Sequence, residues 1–132
     1  MTYAAQTDLE DAFGVAEILQ LTDRDQDGIV DGAVLAAALA RADAVIDSFL
    51  GGRYTVPIAP TPTVVLGIAA DLARYYLYDD AAPEPVRAAY DDALRWLQQA
   101  ARGDVQVVGA SAGGMDVVLT AAETRLFTRG AL

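Results

Sequence analysis

Residues 31–52 read Asp31-Gly32-Ala33-Val34-Leu35-Ala36-Ala37-Ala38-Leu39-Ala40-Arg41-Ala42-Asp43-Ala44-Val45-Ile46-Asp47-Ser48-Phe49-Leu50-Gly51-Gly52. Leu35, Leu39, Ala42, Ile46 and Phe49 recur at i, i+4, i+7, i+11 and i+14, the spacing that sets side chains on one face of an α-helix. Asp31 stands where an N-cap carboxylate accepts from the first free amides, and the pair Gly51-Gly52 stands where a helix stops. A long helix with one apolar face needs other elements to cover it, so the search moves outward for partners of the same kind.

Upstream, Asp23 to Gly32 is dense in Asp and Gly, which favour turns and cannot continue a helix. Before it, Thr7 and Glu10 have capping-box spacing, and Leu9, Phe13, Ala16 and Leu19 fall at helical spacing, predicting a short first helix from about Asp8 to Leu19. Downstream, Pro57, Pro60 and Pro62 make Arg53 to Thr63 an extended, rigid connector. Thr61 and Pro62 then read as N-cap and first residue of a third helix that carries Val65, Ile68, Leu72 and Tyr75 or Tyr76 on one face and stops near Asp79-Asp80. Pro83 and Pro85 start a fourth, with Val86, Tyr90, Ala93, Leu97 and Ala100 as its buried stripe. Arg87-Asp91 and Asp91-Arg95 serve as its i, i+4 pairs, and Gly103 terminates it.

After Gly103 no stripe of either period persists. Val105 to Val108, a Gly/Ala/Ser stretch from Gly109 to Gly114, Val117 to Thr120 and a polar end make either a small hairpin or an arm that orders only against a neighbour. The arm is favoured, because an isolated two-stranded hairpin is marginal in water. The expected fold is all-α: a bundle of about four helices over residues 1–103, with an extended C-terminal arm, 104–132, that can include short strands. Leu35, Leu39, Ile46, Phe49, Val65, Ile68, Leu72, Val86, Tyr90 and Leu97 are its expected core.

The 132 residues are 54% hydrophobic, enough for one domain with a real core. Cys and His are absent, which removes disulfides, thiolate nucleophiles, His acid/base chemistry and zinc fingers together. Nineteen acids face nine bases, all Arg, for a formal net charge of −10. Residues 1–50 hold ten of the acids and two Arg, while residues 51–132 hold nine acids and seven Arg. Such a polar molecule suits a basic partner surface and lacks the basic face a general nucleic-acid binder requires. The longest apolar runs, Ala33 to Ala40 and Val64 to Ala70, fall far short of the ~20 residues of a membrane span. The start, Met1 to Asp11, is acidic where a signal peptide is basic, so the chain reads as soluble and unprocessed.

One motif has metal-ligand spacing. Asp23-Arg24-Asp25-Gln26-Asp27-Gly28-Ile29-Val30-Asp31 matches an EF-hand loop at positions 1, 3, 5, 6 and 9, with the Ile29 carbonyl at position 7 as a further oxygen ligand. Position 12, where a bidentate Glu belongs, is Val34. Asp23, Asp25, Asp27, Ile29 and Asp31 are thus candidate ligands for a weakly held, structural calcium ion, against the plainer reading of a solvated Asx-rich turn whose Asp31 caps a helix. Elsewhere, Asp71, Arg74 and the tyrosines 75, 76 and 78 read as solvated helix-end charges and packing aromatics, as does Trp96, and Ser111 has no base to activate it. No catalytic constellation is present, and a calcium-binding helical interaction module is the alternative that the loop alone supports.

Three further stretches carry a resemblance: Leu21-Thr22-Asp23-Arg24-Asp25-Gln26-Asp27-Gly28; Ile46-Asp47-Ser48-Phe49-Leu50 running into Gly52-Arg53-Tyr54-Thr55-Val56-Pro57; and Asp71-Leu72-Ala73-Arg74-Tyr75 with Tyr78-Asp79-Asp80. Together with the ending Arg125-Leu126-Phe127-Thr128-Arg129, they resemble the Mu-like family of small tailed-phage virion proteins, from about Tyr3 to Leu132. The resemblance implies a non-enzymatic structural protein of the head-to-tail neck, made in the host bacterial cytoplasm and carried in a phage, a prophage or a gene transfer agent. It also implies a homo-oligomeric ring of about twelve copies between the portal protein and the next neck or tail protein, with DNA passing through the channel without specific binding. Arg125, Phe127 and Arg129 alternate, so in an extended strand they project to one side as two charges around an apolar anchor, and they are the candidate partner-binding residues.

Overall fold

The computed structural model describes residues 2–107. They form five α-helices: α1 (Gln6–Phe13), α2 (Val15–Thr22), α3 (Gly32–Leu50), α4 (Thr63–Tyr78) and α5 (Glu84–Arg102), with a 3-10 turn, Asp79–Ala81, between the last two. The expected arm beyond Val107, with Ser111, Arg125, Phe127 and Arg129, lies outside the described residues.

α3 begins and ends as its sequence dictates. The Asp31 carboxylate accepts from the amides of Ala33 at 3.0 Å and Val34 at 3.4 Å, and Gly51 N–H closes on the Asp47 carbonyl. Leu35, Ala38, Leu39, Ala42, Ile46 and Leu50 form its buried face. Phe49, expected in the core, packs against it only partly buried. α4 starts at Thr63 with Pro62 as its N-cap residue, one position later than expected. It packs against all four other helices and buries Val65, Ile68, Leu72 and Leu77 together with Ala69, Ala70 and Ala73. These alanines, with Ala38 and Ala42 on α3 and Ala93 and Ala100 on α5, let helix backbones approach closely.

The expected single first helix is two. Gly14, at φ 99°, breaks the chain between α1 and α2, a backbone conformation that glycine adopts without strain. The break resets the helical phase: Leu9 and Ile18 are buried, Ala16 is exposed, and Phe13 and Leu19 sit between. Nor do Thr7 and Glu10 make the first cap. α1 starts one position before Thr7, and the Asp8 carboxylate accepts the Ala5 amide at 2.8 Å.

α5 starts on its proline pair, with Pro83 as N-cap residue and Pro85 in the first turn, and stops at Gly103, which is left-handed at φ 86°. The expected i, i+4 ion pairs do not form, because Arg95 turns to Asp92 at 2.8 Å, one residue beyond the intended Asp91. Arg87 instead lies over the Tyr75 ring.

Candidate functional site

The Asp-rich loop between α2 and α3 is held open by its own side chains. One Asp23 oxygen accepts the Asp27 amide and the other the Gly28 amide, both at 2.9 Å, and Asp27 accepts the Ile29 amide at 3.1 Å. Gln26 at φ 60° and Gly28 at φ 83° supply the turn. Carboxylate oxygens of Asp23, Asp25 and Asp27 come within 4.8 Å of one another, a spacing at which one cation could touch all three. Partial desolvation pushes the Asp23 carboxyl up, but the Gly28 and Asp27 amides more than offset it and hold it below the ordinary carboxylate range. Asp31 stands apart from that trio, its Oδ1 bonded to the first turn of α3 and its second carboxylate oxygen not used there. Ile29 is 65% exposed, and Val34, at the position of the twelfth ligand, offers no side-chain oxygen. Three clustered carboxylates therefore fit a cation, but the loop lacks the bidentate carboxylate that completes a high-affinity site.

The Arg74 guanidinium, read from sequence as a solvated charge, is half buried in a fork on Glu17, with Nε at 2.6 Å and Nη2 at 3.1 Å from the two carboxylate oxygens. It also lies 4.2 Å over the Phe13 ring, so one side chain of α4 holds both α1 and α2. Hydrogen bonding to Glu17, the largest cause, raises the Arg74 pKa against the opposing effect of burial.

Further along α4 the tyrosines gather with α5. Tyr75 and Tyr90 stack at 3.8 Å, and Tyr76 meets both rings edge-on at 6.0 and 5.8 Å. Arg41 of α3 caps the Tyr76 ring at 4.2 Å. Burial, followed by hydrogen bonding to Tyr90, pushes the Tyr76 phenol up to about 12. An open groove of about 300 Å³ adjoins the cluster, bordered by Arg24, Val34, Arg41, Tyr76 and Asp79. A second groove of about 460 Å³ lies between Pro62 and Val64 at the start of α4, Trp96 on α5 and Val105. Neither groove brings together a nucleophile, a base and a donor pair of the kind that acyl or phosphoryl transfer needs.

A match to the family model described as Bacteriophage Mu, Gp36, covers residues 3–121. The chain belongs to that family. It is 31% identical to Gene product J of Escherichia phage Mu over 98% of this chain and 96% of that protein. It is 36% identical to the Mu-like prophage FluMu protein gp36 of Haemophilus influenzae, over 59% of this chain and 55% of that one. As a member, it is a non-enzymatic, virion-associated structural protein of the head-to-tail connector type. The Asp-rich loop, the end of α3 and α4, which carry the resemblance in the sequence, all lie within the matched residues 3–121. Among the described residues no helix is long and apolar enough to cross a membrane. The tyrosines are legible in the sequence as packing aromatics, but their partners and the Arg74 fork are not, because packing alone brings these groups together, 57 residues apart for Glu17 and Arg74.

Proposed function

We propose that the chain is the repeated subunit of a closed ring between the portal and the next neck or tail protein, with about twelve copies around a channel through which DNA passes without specific binding. The observation that carries this reading is the match to the Mu Gp36 family over residues 3–121. A net charge of −10 supports it physically, since an acidic lumen repels the duplex and lets it slide where a basic lumen would grip it. The Arg125-Phe127-Arg129 end would dock on a neighbouring subunit or the portal, meeting its ordering cost on binding. Electron microscopy of purified particles tests the assembly: a ring of this protein at the head-tail junction is expected, and isolated two-fold dimers in intact particles would overturn it. Truncation after Arg102 should impair particle assembly if the docking assignment is right.

A weakly held calcium ion at Asp23, Asp25 and Asp27, with the Ile29 carbonyl and Asp31 as further oxygens, belongs to the same proposal as a local, structural feature. The three carboxylates within 4.8 Å favour it, because their mutual repulsion is relieved by a cation. With an incomplete donor set, affinity on the order of 10⁻⁴ M or poorer is expected. Heat on titration with millimolar calcium, together with a higher melting temperature in calcium than in chelator, is the expected result; no heat and identical melting temperatures would remove the ion.

A further inference from the structure

Subunits that each carry a net charge of −10 repel one another, and a contact between copies must set cations against some of those acids. Seven of the nine arginines lie among the described residues. Three of these already face carboxylates of their own chain: Arg74 on Glu17, Arg95 on Asp92 and Arg102 on Asp104. Arg53 closes the last turn of α5, donating to the Ala101 and Arg102 carbonyls. The three that remain, Arg24, Arg41 and Arg87, gather around one surface. Arg41 lies over Tyr76 at 4.2 Å and Arg87 lies 6.0 Å from the centre of the Tyr75 ring. Arg24 borders the same groove as Arg41 and Tyr76 and reaches the Leu77 carbonyl at 3.5 Å.

We infer that this arginine-tyrosine surface at the C-terminal end of α4 is the face on which a second copy of the chain docks its carboxylates. A guanidinium stacked on a phenol ring keeps its N–H edge free for a carboxylate and loses little freedom on binding, because the ring already holds it. Tyr75, Tyr76 and Tyr90 are each partly exposed beside exposed Arg41 and Arg87, and Tyr and Arg are the residue types that concentrate binding energy at the centres of interfaces. Charge complementarity selects the occupant. Among the described residues this is the place where guanidinium groups without a partner carboxylate cluster, and the copy it would meet has ten acids in residues 1–50. The inference rests on the ring reading above and names the cationic half of its repeated contact.

The absence of Lys from the chain supplies a direct test. Arg41→Lys or Arg87→Lys introduces a single ε-amine on an exposed site, and a carbodiimide joins that amine to a carboxylate only in direct contact, forming an amide with loss of water. Particles assembled with either variant should give chain-to-chain dimers on denaturing gels, with the adduct mapped by mass spectrometry to an Asp or Glu of a second copy. In addition, Arg41→Glu combined with Arg87→Glu should raise the concentration needed for self-association at least tenfold, with the helical circular dichroism unchanged. A ring seen in micrographs of particles whose variants give no chain-to-chain adduct, or adducts only to a different protein, overturns the inference and leaves the ring standing. Absence of any ring overturns the proposed function, and this inference with it.

Discussion

Tyr3 makes three long-range bonds to two parts of the fold, α3 and the segment that follows it: its amide donates to Asp43 at 3.1 Å, its hydroxyl donates to Asp47, and the same hydroxyl accepts the Ile58 amide at 2.9 Å. Burial, then the bond to Asp47, pushes its phenol up to about 12. Tyr3→Phe leaves the buried Ile58 amide without a partner and should cost about 1–3 kcal/mol in urea unfolding. Because the folded value lies above the unfolded 10.0, the contribution of the wild-type hydroxyl is complete below pH 10 and is lost as pH rises through about 12. The variant should therefore show a flatter stability profile across that window. A three-way bond spanning 40 to 55 residues leaves no local pattern in the chain, which is why Tyr3 passed unnoticed in the sequence. Asp31, two positions from the amide it caps, was legible for the opposite reason.

At the scale of elements, boundaries set by chemistry within a turn were readable: Asp31 before α3, Pro83 and Pro85 at the start of α5 and Gly103 after it. Gly103 carries a further constraint, since a Cβ there would meet the Arg53 guanidinium at 2.8 Å. Gly103→Ala should cost about 1–2 kcal/mol from the left-handed backbone alone, and more where Arg53 has to leave the carbonyls it holds. Leu72→Ala, in the middle of the central α4 and fully buried, should cost about 2–5 kcal/mol. Thermal or denaturant unfolding checks both. The broken first helix was not legible, because Leu9, Phe13, Ala16 and Leu19 fit one continuous stripe and one glycine inside a helical pattern is ordinarily tolerated. It is the packing of α1 and α2 on each other and on α4 that selects the kink.

For the molecule as a whole, charge and burial pull on stability together. Desolvation by burial pushes the Asp71 carboxyl up, although Arg74 opposes it, and burial does the same at Asp43 against the bond from the Tyr3 amide. Carboxyls with raised folded values make stability fall as pH climbs from the ordinary 3.8 through the folded value. Asp71→Asn should therefore raise the melting temperature near pH 7, with the gain vanishing in acid where both side chains are neutral. Asp23 has the opposite sign, its contribution being lost as pH falls through its lowered value. Screening should help throughout: raising salt from roughly 20 to roughly 200 mM should raise the melting temperature of a chain with this much like charge.

The segment between α3 and α4 grips both ends of the described chain. Ile58 donates to Tyr3, Tyr54 accepts the Val107 amide at 3.0 Å with Val107 buried, and Arg53 holds the final carbonyls of α5. A pull on the chain beyond Val107 is thus delivered first to this loop and not to the last turn of α5. Helices loaded from an end unwind one hydrogen bond at a time. Here the Val107–Tyr54 bond and the burial of Val107 have to give way before the last turn of α5 carries load, which protects that turn from peeling.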